Sequence, residues 1–239
     1  MGAAQAGSST KAPGLAADDW LGAGECGILS PIMMAPGTII ILNGTSSSGK
    51  TSLLRAVQDA LDGPFLDAGI DKFLWMLPKR YLNPPLWDDV LGCATEAGAT
   101  GQRLMSGMHH AIAALARAGN HVVADHVLVD PHWMNECARL FCDLPAFLVA
   151  VRCPLEIVEQ REQQRQDRTL GQARAQFDLV HAHGVYDLEI DTSLASPEQC
   201  AQQVIELLRS GLPPQAFRIL ARRQASPGEW NAPAEKEHP

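Results

Sequence analysis

The sequence predicts an α/β fold, a five-stranded parallel sheet with helices on both faces. Two observations carry this. Between residues 38 and 210, short apolar or β-branched runs alternate with segments whose apolar residues recur at helical spacing. The first run, Ile39-Ile40-Ile41-Leu42, is apolar throughout rather than alternating, as a strand buried on both faces requires.

Thr38–Asn43 is the first expected strand and Gly49–Leu61 its helix, with Leu53, Leu54, Val57 and Leu61 on one stripe. Pro64–Ile70 is the second strand candidate. Ala99–Ala118 reads as a long Ala-rich helix stopped by Gly119-Asn120. His121–Asp125 is the third strand, and Pro131–Phe141 a helix with proline in its first turn. Ala146–Arg152 is the fourth strand, Leu155–Gln166 a charged helix, Asp187–Asp191 the fifth strand and Pro197–Ser210 the closing helix. Residues 1–36, rich in Ala, Gly, Ser and Pro, read as a flexible leader, residues 37–211 as the domain, and residues 212–239 as a partly disordered extension in which Phe217, Ile219 and Leu220 suit one short helix.

Between the first strand and its helix lies Gly44-Thr45-Ser46-Ser47-Ser48-Gly49-Lys50-Thr51, which fits G-x-x-x-x-G-K-[ST]. Strand, glycine loop and helix in that order are the context a phosphate-binding loop needs. Backbone N–H groups and a helix N-terminus surround a polyphosphate there. Gly44 through Ser52 are therefore the expected ATP-binding residues, with Lys50 reaching the β- and γ-phosphates and Thr51 a ligand to Mg²⁺.

Ligands of parallel α/β sheets sit at the carboxyl ends of the strands, and this ranks the remaining charged residues. Asp125 ends the third strand and suits the second Mg²⁺ ligand; a strand-end cap is the alternative. Asp71 follows the second strand, either as N-cap of residues 72–77 or as a base beside the transferred phosphate. Arg161, Arg165 and Arg168 share one helical stripe, as a solvated ion-paired face or as a lid over phosphates. Phe73, Trp75, Tyr81 and Trp87 form a side core or line a pocket for an apolar acceptor. The histidines lack metal-ligand spacing and read as surface or core residues.

Composition narrows the partners. The net charge of −8 argues against nucleic acid and membrane surfaces. No run is long and apolar enough to span a bilayer. The six cysteines include no C-x-x-C pair, which suits reduced thiols in a cytoplasmic protein.

Taken together, IILNGTSSSGKT, GIDKFLWMLP (Gly69–Pro78), VVADHVL (Val122–Leu128), VAVRCPLEIVEQRE (Val149–Glu162) and VHAHGVYDLEIDTS (Val180–Ser193) resemble the chloramphenicol phosphotransferase-like kinases. The resemblance runs from about Thr38 to Leu208. It implies a P-loop kinase fold with an Arg-rich lid and ATP-dependent phosphorylation of a hydroxyl on a small organic molecule, an antibiotic such as chloramphenicol being the family's example. It assigns the base to Asp71, the lid to Arg161, Arg165 and Arg168, and an adenine-side loop to Asp191-Thr192-Ser193. Two departures stand out. The family strand carries two consecutive acids where this chain has Asp125-His126, and residues 79–99 match poorly. Other readings of the residues are a kinase for a metabolite, nucleotide sugar or RNA end, and a nucleotide-switched regulator, for which an N-K-x-D is absent.

Overall fold

The structure is a computed structural model, and it describes residues 35–91, 97–164 and 171–225. The strands are β1 (Ile39–Asn43), β2 (Phe65–Asp67), β3 (His121–His126), β4 (Ala146–Arg152) and β5 (Leu188–Asp191). They form one parallel sheet in the order β2-β3-β1-β4-β5. Leu42 of the central strand pairs with Asp125 on one side and Val149 on the other.

Side-chain alternation along β1 divides the core in two. Ile39 and Ile41 face a cluster built with α4 (Ala99–Arg117), α5 (Pro131–Phe141) and α9 (Ala216–Ala225). Ile40 and Leu42 face α1 (Lys50–Ala60) and α8 (Pro197–Arg209). All four residues are at most 1% exposed, and burying each contributes roughly 1.5–3 kcal/mol.

Local chemistry sets the helix ends. Asp130 accepts the His132 N–H at 2.8 Å, and Pro131 opens α5. Ser196 and Gln199 form a reciprocal capping box before α8. Asp187 accepts the Leu148 N–H on one oxygen and those of Gln215 and Ala216 on the other, joining β4 to the start of α9.

The expected helices at Ala99–Ala118 and Pro131–Phe141 and the fourth strand stand within a residue of their reading. The second strand is shorter. It ends at Asp67, and Ile70 already belongs to α2 (Ile70–Leu74). β2 is a half-exposed edge strand, so burial does not extend it. A 3₁₀ turn (Lys79–Leu82) and α3 (Asp88–Leu91) follow. In the stretch expected to be an extension, α9 is part of the core. Phe217 is 1% exposed and meets Phe141 edge-on at 5.3 Å. Residues 1–34 of the expected leader and residues 226–239 lie outside the described residues. Among the described residues, no helix is long and apolar enough to cross a membrane.

Candidate active site

A cavity of about 520 Å³ runs across the carboxyl ends of the strands. At its centre is the loop leaving β1. Ser47 has φ 60° and Gly49 φ 94°. Left-handed residues of this kind are the ones from which backbone N–H nests for anions are built. For serine that conformation costs about 1–2 kcal/mol. The Oγ atoms of Ser46, Ser47 and Ser48 are all buried without a hydrogen-bond partner. Three orphaned hydroxyls in a row each forfeit hydration with nothing in return. A phosphate chain bound in the loop would supply the missing oxygens. Lys50 is 7% exposed, and its Nζ donates to Thr45 O at 2.6 Å.

On the β3 side, Thr51 Oγ1 donates to Asp125 Oδ2 at 3.0 Å. Burial pushes the Asp125 carboxyl above its usual range; the Lys50 charge and the Thr51 hydrogen bond oppose this, and Asp71 and Asp67 add to it. A buried carboxylate under that pressure is a good seat for a cation. Asp125 also depends on a missing side chain. A Cβ on Gly69 would lie 2.1 Å from Asp125 Oδ1, so glycine alone admits the carboxylate. Gly69 is the N-cap of α2, and Asp71 sits in the first turn rather than at the cap. Asp71 lines the cavity beside Ile70, Leu74, Trp87, Val127 and Trp133.

On the β4–β5 side, Thr192 Oγ1 donates to Ser48 O at 2.6 Å. Arg161 Nη1 and Nη2 hold Thr192 Oγ1 and O at 3.2 and 3.0 Å. Arg161, in α6 (Leu155–Gln164), therefore lines the cavity while fastened to the loop after β5. Arg165 and Arg168 lie outside the described residues. Gln176 of α7 (Gln172–Phe177) accepts the Ser46 N–H at 2.7 Å.

Behind the site, the Val127 N–H donates to His126 Nδ1 at 2.8 Å. That leaves the His126 proton on Nε2, aimed at His109 Nε2 2.9 Å away, and so the His109 proton on Nδ1, 2.7 Å from Glu136. Burial pushes both imidazoles below their ordinary values, consistent with neutral rings. His126 also packs against Trp133 at 5.9 Å. Farther out, burial and the Arg152 charge hold His181 and His183 down at about 4.

The residues expected from sequence thus converge. Ser46, Ser47, Gly49, Lys50, Thr51, Ser52, Asp71, Asp125 and Arg161 all line one cavity. Gly44, Thr45 and Ser48 form the loop's inner wall, with Ser48 1% exposed. The aromatic patch divides. Trp87 reaches the cavity, Phe73 and Tyr81 pack on the core, and Trp75 is 66% exposed. Trp133 and Gln176 were not among the expected site residues. Each sits in a helix where a tryptophan or glutamine carries no positional signal of its own. Among the described residues no cluster of three or more His, Cys, Asp or Glu could hold a metal.

A phosphate loop at the carboxyl edge of a five-stranded parallel sheet, with an acid on the neighbouring strand, defines a nucleotide-binding P-loop kinase. The pattern of the family described as "Chloramphenicol phosphotransferase-like protein" matches residues 37–209. The chain belongs to that family and is a P-loop small-molecule phosphotransferase. "Putative O-phosphotransferase Rv2636" of Mycobacterium tuberculosis is 30% identical over 203 residues, 80% of this chain and 90% of the relative. Among solved structures, the chain resembles Mycobacterium tuberculosis APS kinase CysC in complex with AMPPNP and APS. That match has 19% identity and a TM-score of 0.53 over 73% of this chain and 99% of that one. The Deinococcus radiodurans tunicamycin resistance protein matches with 18% identity and a TM-score of 0.52 over 74% and 96%. At these identities the two structures speak for the fold alone.

Proposed function

We propose that this enzyme transfers the γ-phosphate of ATP to a hydroxyl of a small, largely apolar organic molecule, with chloramphenicol the first acceptor to test. The observation that carries the reading is the continuity of the cavity. One space joins the loop of orphaned serine hydroxyls to an apolar wall of Ile70, Leu74, Trp87, Val127 and Trp133, and Asp71 lines the same space. Family membership and the 30%-identical O-phosphotransferase relative support hydroxyl phosphorylation.

In this mechanism the acceptor oxygen attacks the γ-phosphorus, and the bond to the β–γ bridging oxygen breaks, releasing ADP. Asp71 orients the hydroxyl and takes its proton. Lys50 swings from Thr45 O to the phosphate oxygens, and Arg161, Arg165 and Arg168 offset their charge. Thr51 and Asp125 would hold a Mg²⁺ ion, which would supply charge neutralisation for the transferred phosphate. The chemistry is positioning and electrostatics, so the walls of the cavity matter as much as the charged groups. The free thiols Cys137, Cys142, Cys153 and Cys200 support a reducing, cytoplasmic setting.

The test is incubation with ATP, Mg²⁺ and chloramphenicol, then with a panel of hydroxylated antibiotics and metabolites, each product weighed by mass spectrometry. A phosphorylated apolar alcohol is the expected product. Phosphorylation confined to anionic metabolites would overturn the apolar-acceptor reading.

A further inference from the structure

The phosphate loop contains one strained non-glycine residue, Ser47 at φ 60°, and its neighbours are gripped from outside the loop on both sides. Ahead of it, the Ser46 N–H donates to Gln176 Oε1 at 2.7 Å. Behind it, Ser48 O accepts from Thr192 Oγ1 at 2.6 Å. The Ser46–Gln176 bond is buried, with the two residues 8% and 5% exposed.

The helix that carries Gln176 is itself fixed at both ends. Glu162, 3% exposed, accepts the Gly171 N–H at 2.8 Å and the Ala173 N–H at 3.0 Å, so α6 holds the start of α7. Past its end, Val180 O accepts from Asn43 Nδ2 at 2.8 Å, and Asn43 is the residue just before the loop. Glutamine 176 is thus delivered to Ser46 by a helix braced against β1 and α6.

We propose that Gln176 is a positioning residue for the nucleotide phosphates. Its side-chain oxygen holds Ser46, and with Thr192 it keeps Ser47 in the left-handed conformation that turns the loop's N–H groups inward. Preorganised donors lose less on binding than donors that must first be ordered. The inference rests on the proposed phosphate site, and it adds a residue from the β4–β5 connection to it.

The test uses the full chain and the probe AMPPNP with Mg²⁺, so no acceptor is needed. Gln176→Met keeps the length and removes the oxygen. AMPPNP affinity is expected to fall about tenfold, and the Ser46 amide resonance to shift and exchange faster with solvent. If the loss arises from Ser47 leaving its strained conformation, Gln176→Met costs little affinity when introduced into a Ser47→Gly background, because glycine adopts positive φ as readily as negative. General damage to the fold would cost as much in that background. Absence of AMPPNP binding by the wild type overturns the phosphate-site reading, and this inference with it. Wild-type binding with unchanged affinity in Gln176→Met, or a loss that Ser47→Gly leaves untouched, overturns the Gln176 role alone.

Discussion

A single methyl group at Gly69 should disable the metal side of the site while leaving the fold intact. Gly69 has φ −65° and ψ 159°, a conformation open to any L-residue, so alanine strains no backbone there. Its Cβ would nevertheless stand 2.1 Å from Asp125 Oδ1, against the roughly 3.3 Å that carbon and oxygen need. The carboxylate must retreat by about 1.2 Å, the difference of those two distances. It cannot do so freely. Asp125 is 7% exposed and its other oxygen holds Thr51 Oγ1 at 3.0 Å. A shift of about 1 Å in a catalytic group costs on the order of 100-fold in rate. Loss of a supporting partner costs metal affinity roughly 10–100-fold. The assay is calorimetric titration of AMPPNP with and without Mg²⁺ into wild type and Gly69→Ala. Wild type is expected to bind more tightly with Mg²⁺, and the variant to lose most of that increment while its melting temperature stays within a few degrees. A variant with the full Mg²⁺ increment would refute the reasoning, because the crowding of Asp125 would then have no consequence.

Asp71→Asn is expected to lower turnover about 10²–10⁴-fold while leaving Mg²⁺·AMPPNP affinity nearly intact; wild-type turnover would remove Asp71 as the base. Asp125→Asn tests the electrostatics with a sign that can be worked out. Burial raises the folded-state carboxyl above its ordinary value, so its favourable contribution exists at low pH and is lost as pH climbs through the raised value. The nucleotide-free variant should therefore melt higher than wild type at pH 7, by about 2–4 °C for each kcal/mol gained, and the gap should close toward pH 4. A variant less stable at pH 7 than at pH 4, relative to wild type, would contradict the sign. His109→Leu leaves the buried His126 Nε2–H without its acceptor at 2.9 Å, a loss of about 1–3 kcal/mol measurable by urea unfolding; an unchanged midpoint would show that the relay contributes nothing.

How much of this was legible beforehand depended on how local the cause was. The phosphate loop is a run of consecutive residues, and its place between β1 and α1 was legible from their order alone. α5 was bounded to the residue because Asp130 and Pro131 act on their own helix. β2 was overread because its length depends on pairing along one side only. Asp71 could be placed at the sheet's carboxyl edge, yet its cap position belongs to Gly69, whose value lies in the approach of Asp125 from another strand. The same distance hides the His126–His109–Glu136 relay, the Trp133 wall and the Gln176–Ser46 bond. Each joins residues many positions apart, in helices whose local pattern is equally satisfied by ordinary core or surface roles. In the sequence, His126 registered only as a departure from a family pattern. In the fold it is a buried neutral ring that fixes the turn leaving β3.

The proposed chemistry depends on the loop before Lys50 being built for phosphate, and calorimetry of Mg²⁺·ATP into wild type and Lys50→Ala tests this most directly. It predicts saturable binding by the wild type and a loss of at least about tenfold in the variant, the scale of a charge-assisted contact. Equal heats in the two proteins, or none in either while both remain folded, would contradict it.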